Sequence, residues 1–315
     1  MNRRQLLGAG AASLLAACSR ERGGPPTPVR SKGQIIACGR RFPVDARVVP
    51  WFEPPYFDAY SLDSRFRDSE LEAIQGMRYG TLRTLGGGPI EERLARDPND
   101  FDALREAVDL FVLHYDVCGT SRMCFDVLHD QRKLSVHFLL DVDGTIYQTL
   151  DLRERAWHAA KANSRSIGVE IAQIGAWPLG DDTLDEWYPV DRGGPRLALP
   201  ARIPRGPLAS ELEARPIRAE RIRGTINGNE LEQHDFTSAQ YRSLAALTKS
   251  LCRVFPRIEP VVPRQVGGKV AMDALSEAEY ERFSGILGHF HVTTRKVDPG
   301  PAFDWERLLT DVRHG

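Results

Sequence analysis

A chain of 315 residues with 42% hydrophobic content can bury a sizeable core, which predicts one domain with extensions rather than two full domains. Its 42 lysines and arginines nearly balance its 43 aspartates and glutamates, and the formal net charge is −1. Without a basic excess, nucleic acid is not expected as a partner. The oligomeric state is left open.

The first residues are typical of an export signal. Arg3 and Arg4 precede an apolar run, 6–17, that is too short to cross a bilayer as a helix. The run ends in Leu-Ala-Ala before Cys18, a pattern that looks like the lipobox of bacterial lipoproteins, whose cysteine is acylated. We therefore predict a lipoprotein signal peptide over 1–17 and a membrane anchor at Cys18. The arginine pair is either a twin-arginine export signal or the ordinary positive start of a signal.

Two further segments precede the main domain. Residues 18–33 are rich in Gly, Pro, Arg and Ser and lack apolar periodicity, which predicts a flexible tether. Residues 34–80 contain short apolar runs interrupted by prolines, and we interpret them as an N-terminal extension packed on the core. Ser19 stands where an aspartate would favour the inner membrane, so we expect a lipoprotein of the outer membrane that faces the periplasm.

Four apolar runs in the rest of the chain have the composition of strands. They span 108–114, 134–141, 145–150 and 166–174. The second and third are joined by Asp143-Gly144, which is typical of a tight hairpin turn. Residues 97–107, before the first run, have a helical composition. The sequence therefore predicts an α/β fold with a mixed central β-sheet flanked by helices.

A long insertion, about 175–235, follows the last of these strands. It is rich in Pro, Gly and Arg, and Asn227-Gly228 predicts one hairpin within it. Segments of this length are usually functional or disordered. Two interpretations remain: a peripheral or disordered insertion, and a wall over a substrate groove. Beyond it, Thr237 to Gln240 and Ser276 to Glu279 match the capping box that opens a helix.

Side chains with metal-binding or catalytic chemistry are concentrated in the loop 288–300 and in two of the predicted strands. They are His114, Glu170, His289, His291, Lys296 and Asp298. Two histidines and one aspartate would leave a catalytic Zn²⁺ with one open coordination position. A lysine in the same loop can stabilise a nearby anion.

Five short motifs, in their order along the chain, resemble those of a known enzyme family. They are Val112-Leu113-His114-Tyr115-Asp116, Ala156-Trp157-His158-Ala159, Ser166-Ile167-Gly168-Val169-Glu170-Ile171, the loop 288–300, and Pro301-Ala302-Phe303-Asp304-Trp305. Together they resemble the zinc-dependent N-acetylmuramoyl-L-alanine amidases of type 2, whose fold also occurs in peptidoglycan recognition proteins. The resemblance implies a catalytic domain over 81–311 that includes the insertion.

The resemblance implies that one Zn²⁺ is bound by His114, His289 and Asp298. The chain departs from the family at His291, where many members have an aspartate, and its loop from there to Lys296 is shorter. The second ligand is therefore His289, with His291 as the alternative.

The resemblance also implies roles for the residues around the ion. Glu170 would carry protons and Lys296 would stabilise the oxyanion, so these two are the predicted catalytic residues. Trp157, His158 and His137 are expected to line the substrate groove. Either of these two histidines could equally be a packed residue that holds a strand edge.

The cysteines suit an oxidising compartment. Cys118 and Cys124 are close in sequence, and a similarly placed disulfide in peptidoglycan recognition proteins implies a bridge between them. Cys38 and Cys252 are either paired or simply buried thiols. Two other histidines, at 129 and 234, are expected at the surface.

The implied activity is hydrolysis of the amide bond between N-acetylmuramic acid and L-alanine of peptidoglycan or muropeptides, in cell-wall turnover or remodelling. Two alternatives remain: a non-catalytic peptidoglycan-binding lipoprotein, and a zinc peptidase that acts on stem peptides. Non-catalytic binders of this fold lack a full ligand set or the catalytic carboxylate, whereas this chain has all the candidates.

Overall fold

The computed structural model describes residues 32–66, 76–208 and 213–314. The predicted signal peptide, the anchor Cys18 and the tether up to residue 31 lie outside the described residues. Among the described residues, none of the helices combines the length and apolarity needed to cross a bilayer.

The strands are short, and most carry buried side chains. They are β1 (Gly33–Ala37), β2 (Arg40–Val44), β3 (Val48–Pro50), β4 (Tyr79–Gly80), β5 (Leu110–Tyr115), β6 (Phe138–Leu140), β7 (Ile146–Gln148), β8 (Arg155–Ala156), β9 (Ser166–Ile171), β10 (Trp177–Pro178), β11 (Val190–Asp191), β12 (Gly194–Pro195), β13 (Ile222–Ile226), β14 (Asn229–Gln233) and β15 (Gly285–Gly288).

The helices lie between these strands and at the end of the chain. They are α1 (Pro89–Arg96), α2 (Phe101–Ala107), α3 (Ser121–Phe125), α4 (Thr183–Trp187), α5 (Ser238–Val254), α6 (Glu277–Arg282), α7 (His289–Val292) and α8 (Trp305–His314). A π-helical turn spans Asp126–Gln131, and a 3-10 turn spans Ala160–Ala162.

The central sheet has six strands in the order β15-β5-β9-β6-β7-β3. Every neighbouring pair is parallel except the hairpin β6-β7, so the predicted mixed sheet and α/β fold are confirmed. All six residues of β5 are buried because a parallel strand in the middle of such a sheet is covered on both faces.

Helix α5 packs its apolar side on the core and begins where the sequence predicts. Its capping box is formed: Gln240 N–H donates to Thr237 Oγ1 at 3.1 Å, and Thr237 N–H donates to Gln240 Oε1 at 3.0 Å. By contrast, the predicted helix 97–107 begins only at Phe101. Pro98 favours an extended conformation at the preceding residue, and Asp100 caps the helix through a 2.8 Å hydrogen bond from the backbone N–H of the third helical residue.

The predicted N-terminal extension contributes to the sheet. Strand β3 pairs with β7 as the last strand of the order. The amide of Gln148, on β7, donates to Ile36 O and accepts from Ile36 N–H, both at 2.8 Å, which holds β1 against the sheet.

The histidines at 129 and 234 are buried, so the expectation of a surface position is wrong for both. His129 Nδ1 lies 2.6 Å from Asp130 Oδ1, and Asp130 also accepts backbone N–H groups from residues 65–66. This pair therefore ties the extension to the core. His234 packs its ring on Tyr188, with centroids 4.4 Å apart.

The described part of the insertion packs around its own apolar cluster, which includes Leu184, Trp187 and Leu197. The Trp187 ring lies against Gly119, where a Cβ would approach within 2.3 Å of it. The predicted hairpin is confirmed: β13 and β14 are joined by Asn227-Gly228, both with positive φ, as a two-residue primed turn requires.

Candidate metal centre and active site

Three neighbouring strands bring polar side chains to one edge of the sheet. His114 lies near the end of β5, Glu170 lies near the end of β9, and His289 directly follows β15. Strand β5 lies between the other two, and His114 is in register with Glu170. Sites in parallel sheets commonly lie at the carboxyl ends of the strands, because those ends meet at one edge.

Three donor atoms converge at this edge. His114 Nδ1 lies 3.0 Å from His289 Nδ1 and 2.8 Å from Asp298 Oδ2, and His289 Nδ1 lies 3.0 Å from the same oxygen. Ligand atoms about 2.0–2.1 Å from a tetrahedral Zn²⁺ are separated by about 3.3 Å, so the donors are nearly in place for such an ion. It is the one group of three such donors found within the described ranges.

The protonation states of His114 and Asp298 suit a bound cation. Burial, together with the neighbouring His289, lowers the pKa of His114 to about 4, so its ring is neutral near pH 7 and has a lone pair to offer. Burial alone would raise the pKa of Asp298, but hydrogen bonds to His114 and His289 outweigh it and hold that pKa below its usual range.

The structure distinguishes His289 from the alternative His291. Both ring nitrogens of His291 face backbone groups: Nδ1 accepts from Gly288 N–H at 2.9 Å, and Nε2 lies 2.8 Å from Ala271 O. The ring is fully buried against Phe290, and it does not share the cluster formed by His289.

The other nitrogen of His114 contacts His158. His114 Nε2 lies 3.0 Å from His158 Nδ1, and His158 Nε2 lies 3.1 Å from Ser166 Oγ. If Nδ1 of His114 binds a metal, the ring proton must be on Nε2, and this N–H group can then donate a hydrogen bond to His158 Nδ1. The ring of His158 occupies the space over Gly168, where a Cβ would come within 2.5 Å of it.

His137, expected at the groove, directly precedes β6 and is fully buried. Its Nδ1 accepts from Gly168 N–H at 3.1 Å, and its Nε2 lies 3.1 Å from Glu154 O. This placement does not support a substrate contact for His137 and fits the alternative of a packed histidine. Trp157 is half-buried beside this network, with its backbone N–H donating to Ser135 Oγ at 3.1 Å.

Glu170 lies beside the three donors. Its Oε1 is 4.0 Å from His114 Nδ1, and 12% of its side-chain surface is exposed to solvent. Burial and the nearby Asp298 carboxylate raise the pKa of Glu170 well above its usual value. A divalent cation on the donors would lower that pKa again, since its positive charge favours the carboxylate.

Lys296 is exposed in the loop between α7 and Asp298. Its positive charge partly opposes the rise that burial causes in the pKa of Glu170, and it adds to the fall that burial causes in the pKa of His114. Its ammonium makes no ion pair with any residue that the structure describes, so it is available to an anionic group of a ligand.

Asp116, two residues after His114, supports the site, although the sequence pattern did not single it out. Its Oδ1 accepts from the backbone N–H groups of Cys118, Gly119 and Gln173, at 2.8, 2.9 and 3.0 Å. These bonds tie the end of β5 to the end of β9. The signal in the sequence was an aspartate at a strand end with a glycine three residues later, a pattern typical of a turn closed by the side chain.

The structure differs from the predicted bridge between Cys118 and Cys124, because both are free thiols in it. They are neighbours, and burial, followed by the Cys118 side chain, raises the pKa of Cys124 well above its usual value. Cys38 and Cys252 are also free.

Comparison with known proteins gives a family and distant relatives. The sequence profile of the family described as N-acetylmuramoyl-L-alanine amidase matches residues 104–301. The 1,6-anhydro-N-acetylmuramyl-L-alanine amidase AmpD of Salmonella typhimurium strain LT2 is 25% identical over 185 residues, which are 56% of this chain and 56% of that protein. AmpD of Haemophilus influenzae is 24% identical over 192 residues, 58% of this chain and 61% of that protein. The chain thus spans little more than half the length of these curated relatives.

Among solved structures, one match is the N-acetylmuramyl-L-alanine amidase AmiD from E. coli, in complex with the substrate anhydro-N-acetylmuramic acid-L-Ala-D-gamma-Glu-L-Lys. It is 20% identical, covers 65% of this chain and 57% of that one, and has a TM-score of 0.36.

Proposed function

The chain belongs to the N-acetylmuramoyl-L-alanine amidase family, and from this we propose that it hydrolyses the amide bond between N-acetylmuramic acid and L-alanine of peptidoglycan or of muropeptides. The observation that carries the proposal is the convergence of His114, His289 and Asp298 within 3.0 Å of one another, with Glu170 beside them. Amide hydrolysis needs both a strong nucleophile and a proton for the departing amine.

The cofactor that fits the donors is one Zn²⁺, held by His114, His289 and Asp298. When bound, it would polarise the amide carbonyl and lower the pKa of a bound water towards about 7. The donor set supports this choice, because two imidazoles and a carboxylate with one position open are typical of catalytic zinc.

Two neighbouring side chains would transfer the proton and stabilise the developing negative charge. Glu170 would accept a proton from the attacking water and return it to the L-alanine nitrogen as the C–N bond breaks. Lys296 would approach the oxygen on which negative charge develops. The products are the free lactyl carboxylate of the muramic acid and a peptide with a free amino terminus.

The function is tested by mass spectrometry of products from purified sacculi and from soluble anhydro-muropeptides. We expect whole stem peptides that begin with a free L-alanine, and no products after metal removal by a chelator. Peptides cut within the stem would instead indicate a zinc peptidase. Tight binding to sacculi without products would indicate a non-catalytic binder.

We further propose that the protein is exported and anchored by an acyl group on Cys18 at the periplasmic face of the outer membrane. Cys18→Ala should release it from membranes and leave its turnover of soluble muropeptides unchanged. Ser19→Asp is the matched variant, because it should keep the acyl group and move the protein to the inner membrane. Fractionation and intact-mass measurement check both results. A Cys18→Ala protein that still sediments with membranes after a high-salt wash would contradict the anchor.

Export would also expose Cys118 and Cys124 to an oxidising compartment, where neighbouring thiols can form the bridge implied by the sequence. Non-reducing peptide mapping of the exported protein would detect it.

A further inference from the structure

The tip of the β13-β14 hairpin contacts the loop that carries two of the candidate ligands. We call residues 289–302 the metal loop. The Asn227 amide nitrogen lies 3.2 Å from Phe290 O, 3.3 Å from Thr293 O and 2.9 Å from Lys296 O. One side-chain amide of the insertion therefore lies at the centre of the arc between His289 and Asp298.

The remaining polar groups of Asn227 fix its orientation. Its Oδ1 accepts from Ala274 N–H at 2.7 Å, and its backbone N–H donates to Met272 O at 3.2 Å. Because Oδ1 already accepts from Ala274 N–H, the NH₂ group is the end of the amide that faces the three carbonyl oxygens. The residue has a φ of 50°, which asparagine tolerates better than most residues.

The other end of the hairpin holds the end of the same loop. Gln233 Nε2 donates to Pro299 O at 3.1 Å, and its Oε1 accepts from Ala302 N–H at 3.0 Å. Gln233 is fully buried. A Cβ at Gly300 would come within 2.1 Å of the Gln233 side chain, so the loop passes close to it only because that residue is glycine.

The metal loop has little regular structure of its own. Between the end of α7 and Pro301 its backbone makes turn bonds such as Lys296 N–H to Thr293 O at 3.3 Å and Gly300 N–H to Val297 O at 2.9 Å. Because metal affinity depends on how well the ligands are held in place, the contacts that fix this arc matter to the ion as well as to the fold.

We propose that Asn227 is a positioning residue for the metal centre, and that the insertion acts by holding the metal loop so that His289 and Asp298 face His114. This inference rests on the proposed zinc site. On this proposal the insertion supports the metal centre through the main-chain carbonyls of the metal loop, and Asn227 itself does not contact the side chain of a ligand.

The experiment compares Asn227→Gly with Asn229→Ala in the full-length protein. Glycine accepts the positive φ and removes every side-chain contact to the loop. Asn229 donates only within the same turn, to Ile226 O and to Asn227 O, both at 3.1 Å, so its variant is a matched control. We expect zinc affinity, measured by chelator competition, to fall about 10–100-fold in Asn227→Gly and to stay unchanged in Asn229→Ala.

Visible absorption of the Co²⁺-loaded proteins separates positioning from general stability, since it reports the geometry around the metal. We expect an altered spectrum in Asn227→Gly and an unaltered one in Asn229→Ala. Asn227→Asp is the second variant: it keeps the bond from Ala274 and places a carboxylate against three carbonyl oxygens, so it should weaken metal binding at least as much.

Equal zinc affinity and an unchanged Co²⁺ spectrum in both Asn227 variants would overturn the inference, even if their melting temperatures fell. Equal losses in the Asn229 control would overturn it too. Absence of metal binding by the unaltered protein would overturn the proposed function and this inference with it.

Discussion

Replacing His289 with alanine should abolish tight zinc binding, whereas replacing His291 should leave it intact. His289 Nδ1 lies 3.0 Å from both His114 Nδ1 and Asp298 Oδ2, so its loss leaves two ligands where catalytic zinc needs three. The loss in affinity should exceed the roughly 10–100-fold that is typical when only a neighbour of a ligand is removed. Metal content after dialysis against a competing chelator measures the difference.

The His291→Ala protein should instead show a lower melting temperature. Its ring serves Gly288 N–H and Ala271 O, and an unsatisfied buried polar group costs about 1–3 kcal/mol. Loss of zinc in His291→Ala together with its retention in His289→Ala would show that the second ligand is assigned to the wrong histidine.

Glu170→Gln should keep its zinc and lose about 10²–10⁴-fold in kcat, the usual range for loss of a general acid or base. Glutamine has nearly the same shape but cannot carry a proton between water and the leaving nitrogen. The carboxylate lies 4.0 Å from His114 Nδ1, outside the cluster of three donors, which is why the metal should remain. Steady-state kinetics on soluble muropeptides, with metal content measured on the same samples, provide the check.

Glu154→Gln is a suitable control for this experiment. Glu154 is also a buried glutamate, and burial raises its pKa, but its carboxylate contacts Arg153 and Tyr60 rather than the metal donors. We expect its kcat to stay near that of the unaltered protein. Near-normal turnover in Glu170→Gln would remove Glu170 from the mechanism.

Much of the fold could be predicted because its signals are local. The capping box at Thr237, the hairpin turns at Asp143-Gly144 and Asn227-Gly228, and the apolar run that ends at His114 each depend on side chains within a few residues of one another. The predicted start of α2 was less accurate, because Pro98 disfavours a helical conformation at the residue before it.

The sequence alone predicts which residue types come together: histidines, a lysine and carboxylates at strand ends and in one loop. It left the second ligand open, because His289 and His291 are two residues apart and have the same chemistry. The tertiary structure favours His289, since its ring contacts Asp298 whereas the ring of His291 contacts Ala271 O. The role proposed for Asn227 also depends on long-range contacts. Its turn is encoded locally, but its partners in the metal loop lie 63 to 69 residues away in the sequence, at separations that no local pattern specifies.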